Sequence, residues 1–326
     1  MRILVTGASG FVGQALVKRL AGESETIVRV ALRRAGFASA IECEQSVIGN
    51  IDANTDWRTA LASVDVVVHL AARVHVMRDQ SVDPLAEFRL VNVAGTINLA
   101  QQAAKAGVGR FVYLSSVKVN GEGGAIMNER ISAGRYPYRE TDVPAPEDAY
   151  GISKHEAEEG LRKIAAKTGI AVVIIRSPLI YGPGVQANFY LLMRAIAKGI
   201  PLPLGATHNR RSLVSLDNLI DFIMTCVEHE AAANQTFLVS DGQDISTTEL
   251  IRGLARAMNR PARLIPVPPS VLMVGATLLG KRAMARRLLG SLQVDISKAR
   301  QMLGWRPPFS MGAGMKRAVS PLATSR

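Results

Sequence analysis

Tyr150 and Lys154 stand four residues apart in the run Tyr150-Gly151-Ile152-Ser153-Lys154. On a helix that spacing puts a phenol and an ammonium on one face. The stretch from Asp148 to Lys167 predicts such a helix, because Ala, Glu, Leu, Lys and Arg abound and no Pro interrupts it. A nearby cation favours the phenolate, so Lys154 is expected to draw the Tyr150 pKa from about 10 towards neutrality. Tyr150 would then serve as an acid or base at cellular pH. The bland alternative is a solvated helix face.

A second pattern lies at the start. Gly7-Ala8-Ser9-Gly10-Phe11-Val12-Gly13 follows the β-branched and leucine run Arg2 to Thr6 and precedes a helical stretch, Gln14 to Ala21. Strand, glycine turn and helix in that order form a phosphate cradle. Gly7 permits the tight turn, Gly10 lets backbone approach a pyrophosphate, and Gly13 allows close helix packing. A purely structural turn is the competing reading. The next predicted strand, Ile27 to Leu32, ends in Arg33 and Arg34. A dinucleotide-binding fold usually has an acidic residue there for the ribose 2′-hydroxyl, whereas two cations suit a 2′-phosphate. Solvated loop arginines would look the same.

The elements that must position these residues alternate. Val47 to Ile51 and Val64 to Leu70 are expected third and fourth strands, the latter a continuous apolar run ending His69-Leu70-Ala71-Ala72. His69 is expected to be a packed strand-end histidine. Leu85 to Ala106 is expected to be one helix, with Asn92 an indifferent helix former inside it. Arg110 to Ser115 and Ala171 to Ile175 are further strands, separated by a long loop from Gly121 to Glu147. The alternation predicts an α/β fold, a Rossmann-type doubly wound parallel sheet. Past Gly184 helices and Pro/Gly joints dominate, with short strands at Ser212 to Val214 and Thr236 to Ser240. The expected division is a dinucleotide-binding domain over 1–184, mainly a substrate-binding lobe over 185–319, and a disordered tail over 320–326.

Composition bounds the rest. The chain has 326 residues, 48% of them hydrophobic, so a sizeable core is possible. No run of eighteen apolar residues appears, and no spanning helix is expected. Met1 to Gly7 runs straight into the strand and glycine turn rather than a signal peptide, and a cytoplasmic location is expected. Cys43 and Cys226 are too few and too far apart for a disulfide scaffold or a zinc site, and no metal is expected. The net charge of +12 suits an anionic ligand, but no nucleic-acid motif accompanies it. Ser270 to Leu292 joins an apolar run to Lys281, Arg282, Arg286 and Arg287. Such a helix could lie on an anionic membrane; a lobe helix with one buried face and a protein free of the membrane are expected instead.

Taken in order, the motifs resemble the extended short-chain dehydrogenase/reductase family of nucleotide-sugar epimerases, dehydratases and ketoreductases. They are Thr6-Gly7-x-x-Gly10-x-x-Gly13, His69-Leu70-Ala71-Ala72, Val91-Asn92-Val93-x-Gly95-Thr96, Leu114-Ser115-Ser116, Tyr150-x-x-x-Lys154, Arg176-x-Pro178-x-x-Tyr181-Gly182-Pro183-Gly184 and Leu303-Gly304-Trp305. Within the family the chain is most similar to bacterial O-antigen enzymes of the UDP-glucose 4-epimerase-like and UDP-N-acetylquinovosamine 4-ketoreductase kinds. The resemblance implies a catalytic set of Ser116, Tyr150 and Lys154. It implies a cofactor set of Gly7, Ser9, Gly10, Phe11, Val12, Gly13, Arg33, Arg34, Asn50, Ile51, Leu70, Ala71, Ala72, Asn92, Tyr150, Lys154 and Pro178. The expected substrate set is Ser116, Lys118, Asn188, Arg210 and Arg211, with Arg286 and Arg287 as weaker candidates for the diphosphate. Which of Arg210 and Arg211 binds it stays open, and Lys118 is equally readable as a solvated loop lysine.

Two departures narrow the activity. The 4,6-dehydratases carry an Asp-Glu pair where this chain has Val117 and Lys118, and elimination needs an acid and a base there. The usual Val-Tyr-Gly is Val119-Asn120-Gly121, an alteration expected in the sugar pocket. With dehydration set aside, the resemblance implies an NAD(P)-dependent oxidoreductase acting at C4 of a UDP-sugar. Arg33 and Arg34 favour NADP(H) over NAD(H), and with it the reduction of a UDP-4-keto-6-deoxy-hexosamine in lipopolysaccharide O-antigen synthesis. A UDP-glucose or UDP-N-acetylglucosamine 4-epimerase is the alternative, and a silent NAD(P)-sensing regulator a third reading. The resemblance also implies a homodimer.

Overall fold

The computed structural model describes residues 1–35, 42–74, 83–123 and 137–323. Strand and helix alternate through β1 (Arg2–Thr6), α1 (Phe11–Leu20), β2 (Ile27–Leu32), β3 (Glu44–Val47), α2 (Arg58–Leu61) and β4 (Val66–His69). Next come α3 (Pro84–Phe88), a π-helical segment Arg89–Gly95, α4 (Thr96–Lys105), β5 (Arg110–Ser116), a 3₁₀ turn Val117–Val119, α5 (Ala149–Thr168) and β6 (Ala171–Ser177). The rest comprises β7 (Leu179–Tyr181), α6 (Ala187–Ala197), β8 (Arg211–Ser215), α7 (Leu216–Glu228), β9 (Thr236–Leu238), β10 (Asp244–Ile245) and α8 (Thr247–Ala257). It closes with α9 (Pro269–Leu278), α10 (Arg282–Leu289), α11 (Ser297–Leu303) and α12 (Met311–Ala323).

Seven strands form one parallel sheet in the order β3-β2-β1-β4-β5-β6-β9. Successive side chains point to opposite faces. Leu4, Val67 and Phe111 accordingly join one core, with residues of α4 and α5. Val5, Val68 and Val112 join the other, with residues of α1 and α7. The winding reverses between β1 and β4, which opens a crevice beyond the carboxyl ends of the strands. The glycine turn leaves β1 at that point. A three-stranded sheet, β10-β8-β7, underlies the smaller lobe, whose core holds Phe189, Met193, Leu213 and Leu254.

Several expectations are corrected. The third strand is Glu44–Val47, not Val47 to Ile51. It is an edge strand, and the Arg29–Glu44 ion pair at 2.6 Å lies at its register with β2. The helix expected over Leu85 to Ala106 is interrupted by the π-helical segment. The sheet also draws β9, and its core draws α7, from beyond residue 184. The expected tail from 320 is helical through Ala323. Most of the Gly121 to Glu147 loop, residues 124–136, lies outside the described residues. Ser270 to Leu292 is two helices, and α9 has no fully buried residue: Leu272, Met273 and Ala276 are half-buried against the lobe core, while Val271, Val274 and Leu278 are exposed. Among the described residues no helix is long and apolar enough to cross a membrane.

Candidate active site

The crevice is built around close backbone contacts. Gly7 has φ +70°, and a Cβ there would lie 2.7 Å from the Ala71 nitrogen. A Cβ on Gly13 would lie 2.1 Å from the Gly7 carbonyl oxygen. Gly10 donates to that same oxygen at 2.9 Å and starts α1 without a side-chain cap. The first N–H groups of α1 therefore remain available, in a turn with no acidic residue. That combination fits the pyrophosphate of a dinucleotide. Ser9, Phe11 and Val12 belong to the same turn, and the backbone of Leu70 and Ala71 lies directly against Gly7.

The strand ends are pinned by His69. Its Nδ1 lies 2.7 Å from Thr6 Oγ1 and its Nε2 3.0 Å from Thr96 Oγ1. Burial, helped by the charge of Lys154, lowers its pKa to about 3. His69 is thus a neutral, positioning imidazole. Asn92 has a similar task. Its Oδ1 accepts from the Arg73 backbone at 2.8 Å, and its Nδ2 donates to the Arg73 carbonyl and to Ser153 Oγ, each at 3.0 Å. Both amide hydrogens are spent, so Asn92 ties the loop after β4 to α5. The π-helical segment holds it in this buried place, as such segments often do near functional sites. Of the other expected cofactor residues, Asn50 is exposed and its carbonyl accepts from Thr55 Oγ1 at 2.7 Å. Ile51 packs on Gly95, where a Cβ would lie 2.6 Å from Ile51 Cγ2. Pro178 is buried between β6 and β7. Arg33 and Arg34 are exposed just past β2.

Asp148 starts α5 by accepting from the Gly151 backbone at 2.8 Å, the role an N-cap aspartate favours. A Cβ on Gly151 would lie 3.0 Å from the Lys118 carbonyl oxygen. The helix start therefore lies against the turn that follows Ser116, and this brings Tyr150 to the end of β5. Lys154 Nζ donates to the Leu114 carbonyl at 2.8 Å, 4.4 Å from the Tyr113 ring centroid and 5.9 Å from that of Tyr150. Ser116, Tyr150 and Lys154 thus converge on one strand end.

Their electrostatics differ from expectation. Burial and then the Asp148 charge push the Tyr150 phenol well above its ordinary value. Lys154 does not offset this, because burial lowers its own pKa to about 7, with Glu158 only partly opposing. The sign has a consequence for stability. Between about pH 7 and the ordinary lysine range near 10.4 the unfolded chain carries a proton on this residue that the folded chain lacks. Stability should therefore rise with pH across that window, and Lys154→Met should flatten the rise. Urea midpoints at pH 7 and 9 for both proteins check it; parallel midpoints would refute it.

Residues 3–240 match the NAD dependent epimerase/dehydratase family. The chain belongs to that family. It is 48% identical over 321 residues to a Vibrio cholerae protein named UDP-glucose 4-epimerase, covering 97% of this chain and 94% of that one. It is 28% identical to the N-acetyl-alpha-D-glucosaminyl-diphospho-ditrans,octacis-undecaprenol 4-epimerase of Escherichia coli O157:H7, with 97% and 94% covered. In fold it resembles a UDP-glucuronic acid 4-epimerase from Bacillus cereus solved with NAD (TM-score 0.76, 22% identity, 97% of this chain and 94% of that one).

Against this epimerase/dehydratase background the departures acquire physical roles. Val117 is buried. Lys118 is held by Glu122 at 2.7 Å and by Asp148, so it is neither a solvated lysine nor a cation free for substrate. Asn120 is 2% exposed and does not line a sugar pocket by its amide. It accepts from Arg176 at 3.0 Å and donates to the Arg139 carbonyl at 2.9 Å. Arg176 in turn pairs with fully buried Glu158 at 2.6 Å, which also accepts from Ser115 at 2.6 Å. Sequence reading passed over this network. Glu158 lies one helical turn past Lys154, a visible spacing, but nothing local marks it as buried.

The expected substrate arginines separate. Arg211 donates to the carbonyls of Arg287 and Gly290 at the end of α10. Arg210 is exposed, its backbone bonded to Ser291 Oγ at 3.1 Å. Arg287 reaches Glu122 at 3.4 Å and Asp148 at 3.5 Å, and Arg286 reaches Glu147 at 3.8 Å. Asn188 is exposed in the first turn of α6.

Proposed function

We propose that the chain epimerises a UDP-linked hexose at C4 with NAD as its redox partner. One observation carries this reading. The proton-transfer group at the end of β5 is Tyr150, and beside Ser116, where elimination would need an acid and a base, stand a buried valine and an ion-paired lysine. Chemistry confined to C4 needs one proton shuttle, and Tyr150 supplies it. The names of relatives at 48% and 28% identity support the same reaction class.

Gly7, Gly10, Gly13 and the start of α1 would hold the NAD pyrophosphate, and Asn50, Ile51 and Ala71 to Ala72 would lie along its nucleoside. Bound NAD supplies a hydride acceptor and donor and, when oxidised, a positive charge near the phenol. Tyr150 as phenolate takes the C4 hydroxyl proton and later returns it to the oxygen of the 4-ketone. Ser116 hydrogen-bonds that oxygen. Lys154, held by Leu114, places its amine 5.9 Å from the phenol ring centroid, where it would bond the nicotinamide ribose. Arg211 is assigned to the UDP diphosphate over Arg210, because its contacts lead through Arg287 to Asp148 and the start of α5. Purified protein given UDP-glucose and no added nucleotide should form UDP-galactose and release NAD on denaturation. Turnover only of a 4-keto sugar, with stoichiometric consumption of reduced cofactor, would refute epimerisation.

Arg33 and Arg34 favour a second reading, an NADP(H)-dependent 4-ketoreductase. Both are exposed at the end of β2, where no acidic residue would repel a 2′-phosphate. On this reading Arg33→Ala/Arg34→Ala weakens NADPH binding by roughly 1.5–3 kcal/mol per lost charged hydrogen bond and leaves NADH unchanged. Calorimetric titration decides, and equal or better use of NADH by the unaltered protein would sink it.

A further inference from the structure

α9 and α10 present an apolar, cation-edged face on the smaller lobe that nothing among the described residues covers. Val271 and Val274 are each 58% exposed and Leu278 is 83% exposed. Spacings of three and four put them on one side of α9. Leu279 follows at 73% and Met284 at 53%. On the other side of α9, Leu272, Met273 and Ala276 pack against the lobe core. The helix is therefore held in place while its outer side stays bare. Lys281 and Arg282, at the joint between the two helices, are exposed and have no ion-pair partner among the described residues. From Leu250 to Val294 the sequence contains no Asp or Glu.

We propose that this helical hairpin docks the protein peripherally on an anionic phospholipid bilayer. The aliphatic side chains enter the headgroup boundary, and Lys281 and Arg282 meet lipid phosphates. Charge and shape choose this occupant over others. A nucleic acid would use the cations and leave the aliphatic side chains in water. A second copy across a two-fold axis would oppose the same cationic joint on two chains of net charge +12. The ten residues of α9 rise only about 15 Å, half a hydrocarbon core, so the hairpin lies in the interface and does not cross it. Arg286 and Arg287 of the same hairpin pair with Glu147, Glu122 and Asp148. Docking would thus set the mouth of the crevice beside the bilayer. The proposal stands apart from the assignment of the reaction.

Cosedimentation of the full chain with phosphatidylglycerol-containing vesicles tests it, against phosphatidylcholine vesicles and against high salt. Binding should appear with the anionic lipid at physiological salt and fall several-fold in either control. Lys281→Ala/Arg282→Ala should weaken partitioning by roughly fivefold per lost cation. Leu278→Glu/Leu279→Glu should weaken it by at least about tenfold. Both variants should keep wild-type turnover of a UDP-sugar in solution. The proposal is overturned if the unaltered protein ignores anionic vesicles, or if it binds equally in both variants. It is also overturned if the leucine variant converts a lipid-free dimer to monomer, which would make the face a contact between copies.

Discussion

Tyr150→Phe should lower turnover by about 10²–10⁴, the usual cost of losing a general acid/base, and leave fold and nucleotide affinity near wild type. The substitution removes one oxygen and keeps the ring. The edge-on contact with Phe88, 6.0 Å between centroids, survives, as do the Asp148 cap and the Lys154 bond to Leu114. Only the proton is lost. Because burial and Asp148 hold the phenol above its ordinary value, protein groups alone do not make it a base at neutral pH. The residual rate of the variant should therefore lack whatever rising pH limb the unaltered enzyme shows. Steady-state kinetics across pH, with nucleotide affinity by calorimetry, make the comparison. Near wild-type turnover in the variant would remove Tyr150 from the chemistry.

Arg176→Met should cost about 3–5 kcal/mol of stability, the range for breaking a buried ion pair by removing one partner. Arg176 is 2% exposed and Glu158 fully buried. Burial pushes the Glu158 pKa up, yet the hydrogen bonds and charge of Arg176 outweigh it and hold the carboxyl below its ordinary range. The lost contribution is thus present at neutral pH and in the unaltered protein fades only as pH falls through that lowered value. The gap between the two proteins should narrow on acidification. A double variant, Arg176→Met/Glu158→Leu, should recover part of the loss, since it leaves no unpaired charge. Urea midpoints at pH 7 and pH 4 test both statements. A loss under about 1 kcal/mol at pH 7 would show that water or Arg162, 2.9 Å from Glu158, replaces the pairing. The variant should also slow turnover, because Ser115 and Asn120, which share this network, flank the Ser116 turn.

The local parts of this protein were written in its sequence. Continuous apolar runs named β1, β4, β5 and β6 because strands buried on both faces have little other composition to choose from. The Gly7-Gly10-Gly13 spacing and the Tyr150–Lys154 spacing were legible because each depends on neighbours a few residues away. The edge strand β3 was misplaced, since half-buried Glu44 and Ser46 and exposed Gln45 carry no apolar pattern and are defined by pairing with β2. The π-helical turn escaped notice because its composition does not set it apart from an α-helix, and the partners of Asn92 within it, Arg73 and Ser153, lie far away in the chain.

Tertiary structure alone decided the electrostatics. Spacing predicted that Lys154 would acidify Tyr150, but spacing says nothing of solvent. Excluding water from both groups raised the phenol and lowered the ammonium, because desolvation opposes charge whichever residue bears it. The same limit explains Lys118, Asn120 and α9. Whether a lysine meets carboxylates, an asparagine meets a buried arginine, or an apolar helix packs only one of its sides depends on segments far apart in the chain, and no window of residues contains both partners.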